Sequence, residues 1–350
     1  SSNKILVIGG GPAGLEAARS VAELGGEAIL IEKRERLGGT PDREGYSKLT
    51  HHWRDASEAM AELADAVANS ANVEVKYSAE VKGMSGSVGD FEVQIEAGGV
   101  AESLNVGAVI VATGFQHFDP GRATQQYNYY TFPDVVTLTD LEKMLKDHHV
   151  VRPSNGEAPK KIAFIQCVGS RDRRIGNEYC SKVCCGIASK QAIELRELLP
   201  DSKVMIFYID MRMYGYWENE IYWPAQEKYK VNYVKGVISE VLKKGDQLLI
   251  RGEDTTMGRP MEVTMDMVVL SIGMEPSAGT RAIAQTLGVR QNKYGFIEAG
   301  GEGGLDTVAT SVPGVFVAGA AAGPADLNDS ISMAGLAAAR AVSATQKVAA

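Results

Sequence analysis

The sequence predicts an α/β fold in two three-layer domains, the first of them discontinuous. Three observations predict it. The chain opens on an unbroken apolar run, "ILVIG", that leads directly into closely spaced glycines. A second run of the same kind, "KKIAFIQCV", starts near residue 160, and "VFVAG" repeats the pattern late in the chain. Apolar runs without alternation suit parallel strands covered on both faces, and intervening helical patterns suit crossover connections. The expected first domain is 1–119 with 277–350, the second is 158–276, and 120–157 is expected to link them.

Composition narrows the function classes. At 350 residues the chain can bury two cores. It carries 36 Lys and Arg against 44 Asp and Glu, a formal net charge of −8, with no basic block. Nucleic acid and anionic lipid are therefore not expected partners. "SSNKILVIGGG" enters a strand at once, which leaves no room for a signal peptide, and no apolar run reaches the length of a membrane span. A cytoplasmic protein is expected, where structural disulfides are rare and clustered cysteines are more often ligands or redox groups.

"KILVIGGGPAGLEAARSVAELGGEAILIEK" reads strand, turn, helix, strand. Gly9, Gly11 and Gly14 have the G-x-G-x-x-G spacing of a Rossmann unit, with Pro12 and Ala13 between the last two. The first glycine allows a tight turn, the second lets backbone approach a pyrophosphate, and the third brings helix close to sheet. Glu32, with Lys33 beside it, ends the second strand, placed to bond an adenosine ribose.

Further motifs favour FAD over NAD at this site. "LGGT" puts Gly39 and Thr40 just after the Glu32 strand, "AEVKGM" contributes Val81, and "AVIVATGF" ends a strand at Ala112, Thr113 and Gly114. "TSVPGVFVAGAAAGPADL" holds Gly319, Ala320 and Asp326, and Ser332 follows. Together these resemble the thioredoxin-reductase-like flavoproteins. Many of those have Asp where this chain has Ala320, so Asp326 or backbone N–H groups are expected to bond the ribityl chain instead.

In that superfamily a second Rossmann unit binds NAD(P)H. Here "KKIAFIQCVGSRD", "SKVMIFYID" and "DMVVLSIGMEP" supply its strands, but the glycine loop is missing. In its place stands "QCVGSRDRRIGNEYCSKVCCG", with all four cysteines of the chain, Cys167, Cys180, Cys184 and Cys185. Cys180 and Cys184 are one helical turn apart and are expected at a helix start. Spacing leaves open a [4Fe–4S] cluster, zinc, redox thiols and inert packing. Arg171, Arg173, Arg174 and Lys182 are expected to lower the thiol pKa values.

"FIQCVGSRD…YCSKVCC", followed by "FYIDMRMYG", closely resembles the A-type subunits of the heterodisulfide reductase family, from about residue 4 to 345. The resemblance implies that the four cysteines bind a [4Fe–4S] cluster beside FAD, in an electron-transfer subunit that is inactive alone. It implies partner subunits of B and C type and a homodimer. The compact length is similar to the A-type subunits of sulfur oxidisers, so a role in sulfur-compound oxidation is expected. The competing readings are an NAD(P)H-dependent flavin disulfide reductase, a zinc-stabilised scaffold and a subunit of a quinone-interacting oxidoreductase of sulfate reducers. Lys190 is expected either as a solvated helix lysine or as a cation that tunes the flavin. The aromatic run from Tyr208 to Trp223 is expected to fill an interface or to dock a partner.

Overall fold

A computed structural model describes residues 1–122, 125–301 and 303–349. The chain forms two compact units: Ser1–Arg43, Ala56–Gln116 and Glu275–Ala350 make the first, and Glu44–Asp55 with His117–Met274 make the second.

The first unit begins with β1 (Lys4–Ile8), α1 (Pro12–Glu23), β2 (Glu27–Ile31), α2 (Gly39–Arg43), α3 (Ala56–Ala68) and β3 (Val73–Lys76). A meander of β4 (Ala79–Ser87), β5 (Asp90–Ala97) and β6 (Val100–Val106) follows, then β7 (Ala108–Val111) and β8 (Phe115–His117). In the second unit come β9 (Val135–Thr137), α4 (Leu138–Lys146), β10 (Lys161–Val168), α5 (Cys184–Leu198), β11 (Lys203–Tyr208), α6 (Trp223–Glu227), β12 (Asn232–Lys244), β13 (Gln247–Asp254), β14 (Arg259–Met265) and β15 (Met267–Ile272). The chain returns through β16 (Met274–Pro276), α7 (Ala278–Leu287), β17 (Val315–Val317) and α8 (Leu327–Ala349).

The first unit is built on a parallel five-stranded sheet of order β17-β7-β1-β2-β3. Strand side chains alternate between its faces. Leu6, Ile8, Ile29, Ile31, Val109 and Val111 pack on Phe91, Val93 and Ile95 of the meander. Ile5, Val7, Ala28, Leu30 and Ile110 face the other way, onto Leu15, Ala18 and Val21 of α1 and Ala334, Ala337 and Ala338 of α8. Both faces are covered, which is why β1 reads as an unbroken apolar run.

The second unit holds a seven-stranded mixed sheet of order β14-β13-β12-β11-β10-β15-β9. Its centre is parallel and its β12-β13-β14 end is antiparallel. Ile162, Phe164, Ile206 and Val269 pack against α4 and α5, and Ala163, Ile165, Phe207 and Val268 pack against Val241, Leu248 and Ile250.

Residues 120–157, expected as a linker, instead supply β9 and α4 to this unit. Val135, Val136 and Thr137 pair in parallel with Val268, Val269 and Leu270. Thr137 and Asp140 close a capping box at the start of α4, which satisfies two otherwise orphaned helix donors. Ala123 and Thr124, within the same segment, lie outside the described residues. Among the described residues no helix is long and apolar enough to cross a membrane.

Candidate functional site

The turn from β1 to α1 is built by contact between backbones. Gly9 has φ +111°, and a Cβ there would collide with the Ala112 carbonyl. A Cβ on Gly14 would collide with the Gly9 carbonyl, so helix and strand can meet only if Gly14 stays bare. Gly11 differs: a Cβ there would meet only the Gly39 Cα, at 3.5 Å. Gly11 is also the N-cap of α1 and has no side chain to cap it. Bare backbone at the positive end of a helix dipole is a cradle for an anion.

Other expected residues gather around this turn. The Glu32 carboxylate is buried; its Oε1 accepts from the Gly10 N–H at 3.0 Å and its Oε2 from the Arg34 N–H at 2.7 Å. Each oxygen keeps a further lone pair for a ribose hydroxyl. Gly319, at φ +74°, backs onto the first turn of α1, where its added Cβ would lie 2.8 Å from Ala13 Cβ. Ala320 is buried in the 3-10 turn that follows.

Two residues missed in the sequence pin the Ala112-Thr113-Gly114 turn. Thr280 Oγ1 lies 2.6 Å from Thr113 Oγ1 and donates to the Gly114 carbonyl at 2.9 Å. Ser277 Oγ donates to the Thr113 carbonyl at 2.9 Å, and it also caps α7 by accepting from the Thr280 N–H. The S-x-x-T just after Pro276 was the available signal.

The remaining expected residues have other partners. Lys33 is exposed and pairs with Glu80 at 3.5 Å. Thr40 Oγ1 accepts from Arg43, Val81 is half-buried on the meander core, and Ser332 is exposed on α8. Asp326 Oδ1 accepts from the Asp329 N–H at 2.7 Å, so this carboxylate caps the start of α8.

In the second unit, Cys167 sits near the end of β10, where the register with β15 shifts between Ile165 and Val168. Cys167 has φ +60°, Arg171 +52° and Lys182 +65°, a left-handed conformation that costs a non-glycine residue energy and re-aims its side chain. The loop is tied down at both ends. Arg171 N–H donates to the Tyr179 carbonyl, Tyr179 OH to the Met274 carbonyl at 2.6 Å, and Met274 N–H to Ser181 Oγ at 2.9 Å.

The four thiols occupy one neighbourhood. Helix α5 begins at Cys184, so Cys184 and Cys185 lie in its first turn, and Cys180 lies in the loop rather than on the helix. Cys184 and Cys185 are buried. Cys184 lies within electrostatic reach of Cys167, Cys185 and Cys180. Lys182 N–H donates to Cys180 Sγ at 3.2 Å and Arg212 N–H to Cys185 Sγ at 3.4 Å.

The expected lowering of thiol pKa values is not found at Cys167, Cys184 or Cys185. Burial pushes Cys167 up to about 11 and raises Cys184 and Cys185, with neighbouring thiolates adding to it. Arg171 opposes this at Cys167 but is itself paired with Asp210 at 2.7 Å. Arg173 and Arg174 pair with Glu178 and Asp172.

Among the described residues no three His, Cys, Asp or Glu side chains form the ligand set of a single metal ion. A tetrahedral ion needs its sulfurs to converge on one point, whereas a cubane spreads four thiolates over four irons. Four neighbouring thiols, two of them accepting from backbone N–H groups, are a donor set of the kind a cubane takes.

Residues 3–341 match the model of the pyridine nucleotide-disulphide oxidoreductase family. The chain belongs to this family.

Among its relatives, the A-type subunit of an H(2):CoB-CoM heterodisulfide,ferredoxin reductase from Methanothermobacter marburgensis is 33% identical over 97% of this chain and 63% of its own length. An A-type iron-sulfur subunit of a CoB–CoM heterodisulfide reductase from Methanopyrus kandleri is 31% identical over 98% of this chain and 64% of its own. The chain therefore spans less than two thirds of these relatives. The thioredoxin reductase of T. acidophilum aligns with a TM-score of 0.65 at 18% identity, covering 98% of this chain and 99% of the other. That of Lactococcus lactis gives 0.64 at 16%, with the same coverage. The expected two-domain, thioredoxin-reductase-like α/β fold is the observed one.

Within this pyridine nucleotide-disulphide oxidoreductase fold, Lys190 is not the solvated helix lysine of one expectation. Its ammonium is fully buried, donates to Glu142 and to the Lys48 carbonyl at 2.7 Å, and lies 3.5 Å from Glu194. Helix α5 is buried along most of its length, so its sequence shows no solvent face from which this could be read. The aromatic run divides: Trp217 belongs to the core beside Gly186, while Tyr214 and Trp223 are exposed.

Proposed function

We propose that this chain is the flavin- and iron–sulfur-carrying electron-transfer subunit of a heterodisulfide-reductase-like complex. The observation that carries the reading is the cysteine loop: four neighbouring thiols stand at the end of β10, where the superfamily's second Rossmann unit needs a glycine loop for NAD(P)H. The relatives named as A-type heterodisulfide reductase subunits support it.

When bound, FAD supplies two-electron storage and a [4Fe–4S] cluster supplies one-electron exchange. The residues would divide the work as follows. Gly11, Pro12 and Ala13 present the N-terminus of α1 to the pyrophosphate, and Glu32 accepts from the adenosine ribose. Gly39, Thr40, Gly114, Gly319 and Ala320 bring backbone toward the rest of the cofactor. Cys167, Cys180, Cys184 and Cys185 hold the cluster, and Tyr179 and Ser181 keep their loop against Met274 at the start of β16. Burial of Cys184 and Cys185 excludes water from the ligand sulfurs. No acid, base or nucleophile is assigned, because electron transfer asks only for position and environment.

The reading extends to B- and C-type partner subunits, a homodimer of this chain, the cytoplasm and sulfur-compound oxidation. It takes these from the resemblance carried by "CVGSRD" and "YCSKVCC". The test is anaerobic mixing of the flavin-loaded protein with NADH. No bleaching without partner proteins is expected; rapid bleaching would instead make the chain a nicotinamide-driven reductase.

A further inference from the structure

Gln166 precedes Cys167 on β10 and is buried, with 5% of its surface exposed. Its Oε1 accepts a hydrogen bond from Ser271 Oγ on the neighbouring strand β15. The other end, Nε2, is buried and has no hydrogen-bond partner. Buried donors are nearly always paired, and one left unpaired costs the full desolvation of the group. Gln166 lines one cavity with Cys167, the ligand residue that follows it on the strand. The Cys185 thiol donates to the Asp210 carbonyl at 3.8 Å.

An amide fixed at one end, unpaired at the other and lining one cavity with a ligand cysteine fits an acceptor that arrives with a bound group. We propose that Gln166, oriented by Ser271, donates a hydrogen bond to the sulfur shell of the cluster held by Cys167, Cys180, Cys184 and Cys185, and thereby raises its reduction potential. Reduction adds one electron, and much of the added charge falls on sulfur. A donor to that sulfur stabilises the reduced form more than the oxidised one. No proton is transferred; the amide keeps its hydrogens. Ser271 is a positioning residue that acts through Gln166.

The inference rests on the cluster reading above and is tested separately from it. The full chain is reconstituted with iron and sulfide and titrated with dithionite, with the reduced cluster followed by EPR. At the potential where the wild-type cluster is half reduced, Gln166→Leu is expected to lower the ratio of reduced to oxidised cluster by about tenfold, the size of one hydrogen bond to a charged group. Ser271→Ala should move it the same way by less. An unchanged midpoint in Gln166→Leu at full iron and sulfide content overturns the proposal, and so does a water molecule serving as the amide's acceptor in a crystal structure of the loaded protein. If Gln166→Leu does not assemble the cluster, Ser271→Ala decides: a lower midpoint supports the proposal and an unchanged one overturns it. Wild-type protein that takes up no iron or sulfide defeats the cluster reading itself.

Discussion

Lys190 donates to the Glu142 carboxylate inside the second unit, with both side chains out of water. Glu194 stands on the other side of the ammonium at 3.5 Å, so two carboxylates share one cation. Ser47 N–H donates to Glu142 Oε2 at 2.8 Å, and Gln191 donates to Glu142 Oε1 at 3.0 Å. This buried network ties Glu44–Asp55 to α4 and α5.

Burial pushes Glu194 up to about 7, against the opposing pull of Lys190, with the Glu142 charge adding to the rise. A carboxyl whose pKa is raised on folding adds stability that is complete below its unfolded pKa and is lost as pH rises through the folded value. The Glu194→Gln variant removes this titration. The stability of wild type relative to Glu194→Gln should fall between pH 5 and pH 8, by about 3 kcal/mol at most. Urea melts of both proteins across that range check it.

Gly14 and Gly11 should separate folding from cofactor binding. Gly14→Ala drives a methyl into the Gly9 carbonyl and is expected to destabilise the first unit by about 3 kcal/mol or more. Gly11→Ala meets only the Gly39 Cα at 3.5 Å and should leave the apoprotein melt within about 1 kcal/mol of wild type. Its methyl occupies the cradle, so retained flavin after purification should drop sharply. Thermal melts with flavin quantification distinguish the two.

Asp134 is buried and accepts from Arg152 Nη2 at 3.0 Å, Ser154 Oγ at 2.7 Å and Ser154 N–H at 3.0 Å. Removing one member of a buried pair strands the other. Asp134→Ala should cost about 3 kcal/mol in denaturant melts, more than an interdomain linker would register.

The sequence made the first unit legible because its chemistry is local. Gly9, Gly11, Gly14 and Glu32 lie within one strand-helix-strand, and the turn needs little beyond them. What stayed hidden depends on distant partners. Val135 to Thr137 form a strand only because Val268 to Leu270 offer an edge, and no local pattern announces that pairing. Likewise Lys190 has its nearest oxygens on Lys48 and Glu142, far off in sequence. The four cysteines were conspicuous by clustering. That Cys180 lies in the loop follows from where α5 starts, whereas helical spacing alone put it with Cys184 at the helix start.

The central claim is that the cysteine loop holds a [4Fe–4S] cluster, and the most direct measurement is iron and acid-labile sulfide content with EPR, made anaerobically on wild type and on Cys184→Ala. The account expects about four iron and four sulfide per wild-type chain, a cubane signal on reduction, and loss or marked change of that signal in the variant. About one zinc per chain without iron or sulfide, or a cluster signal unchanged in Cys184→Ala, would contradict it.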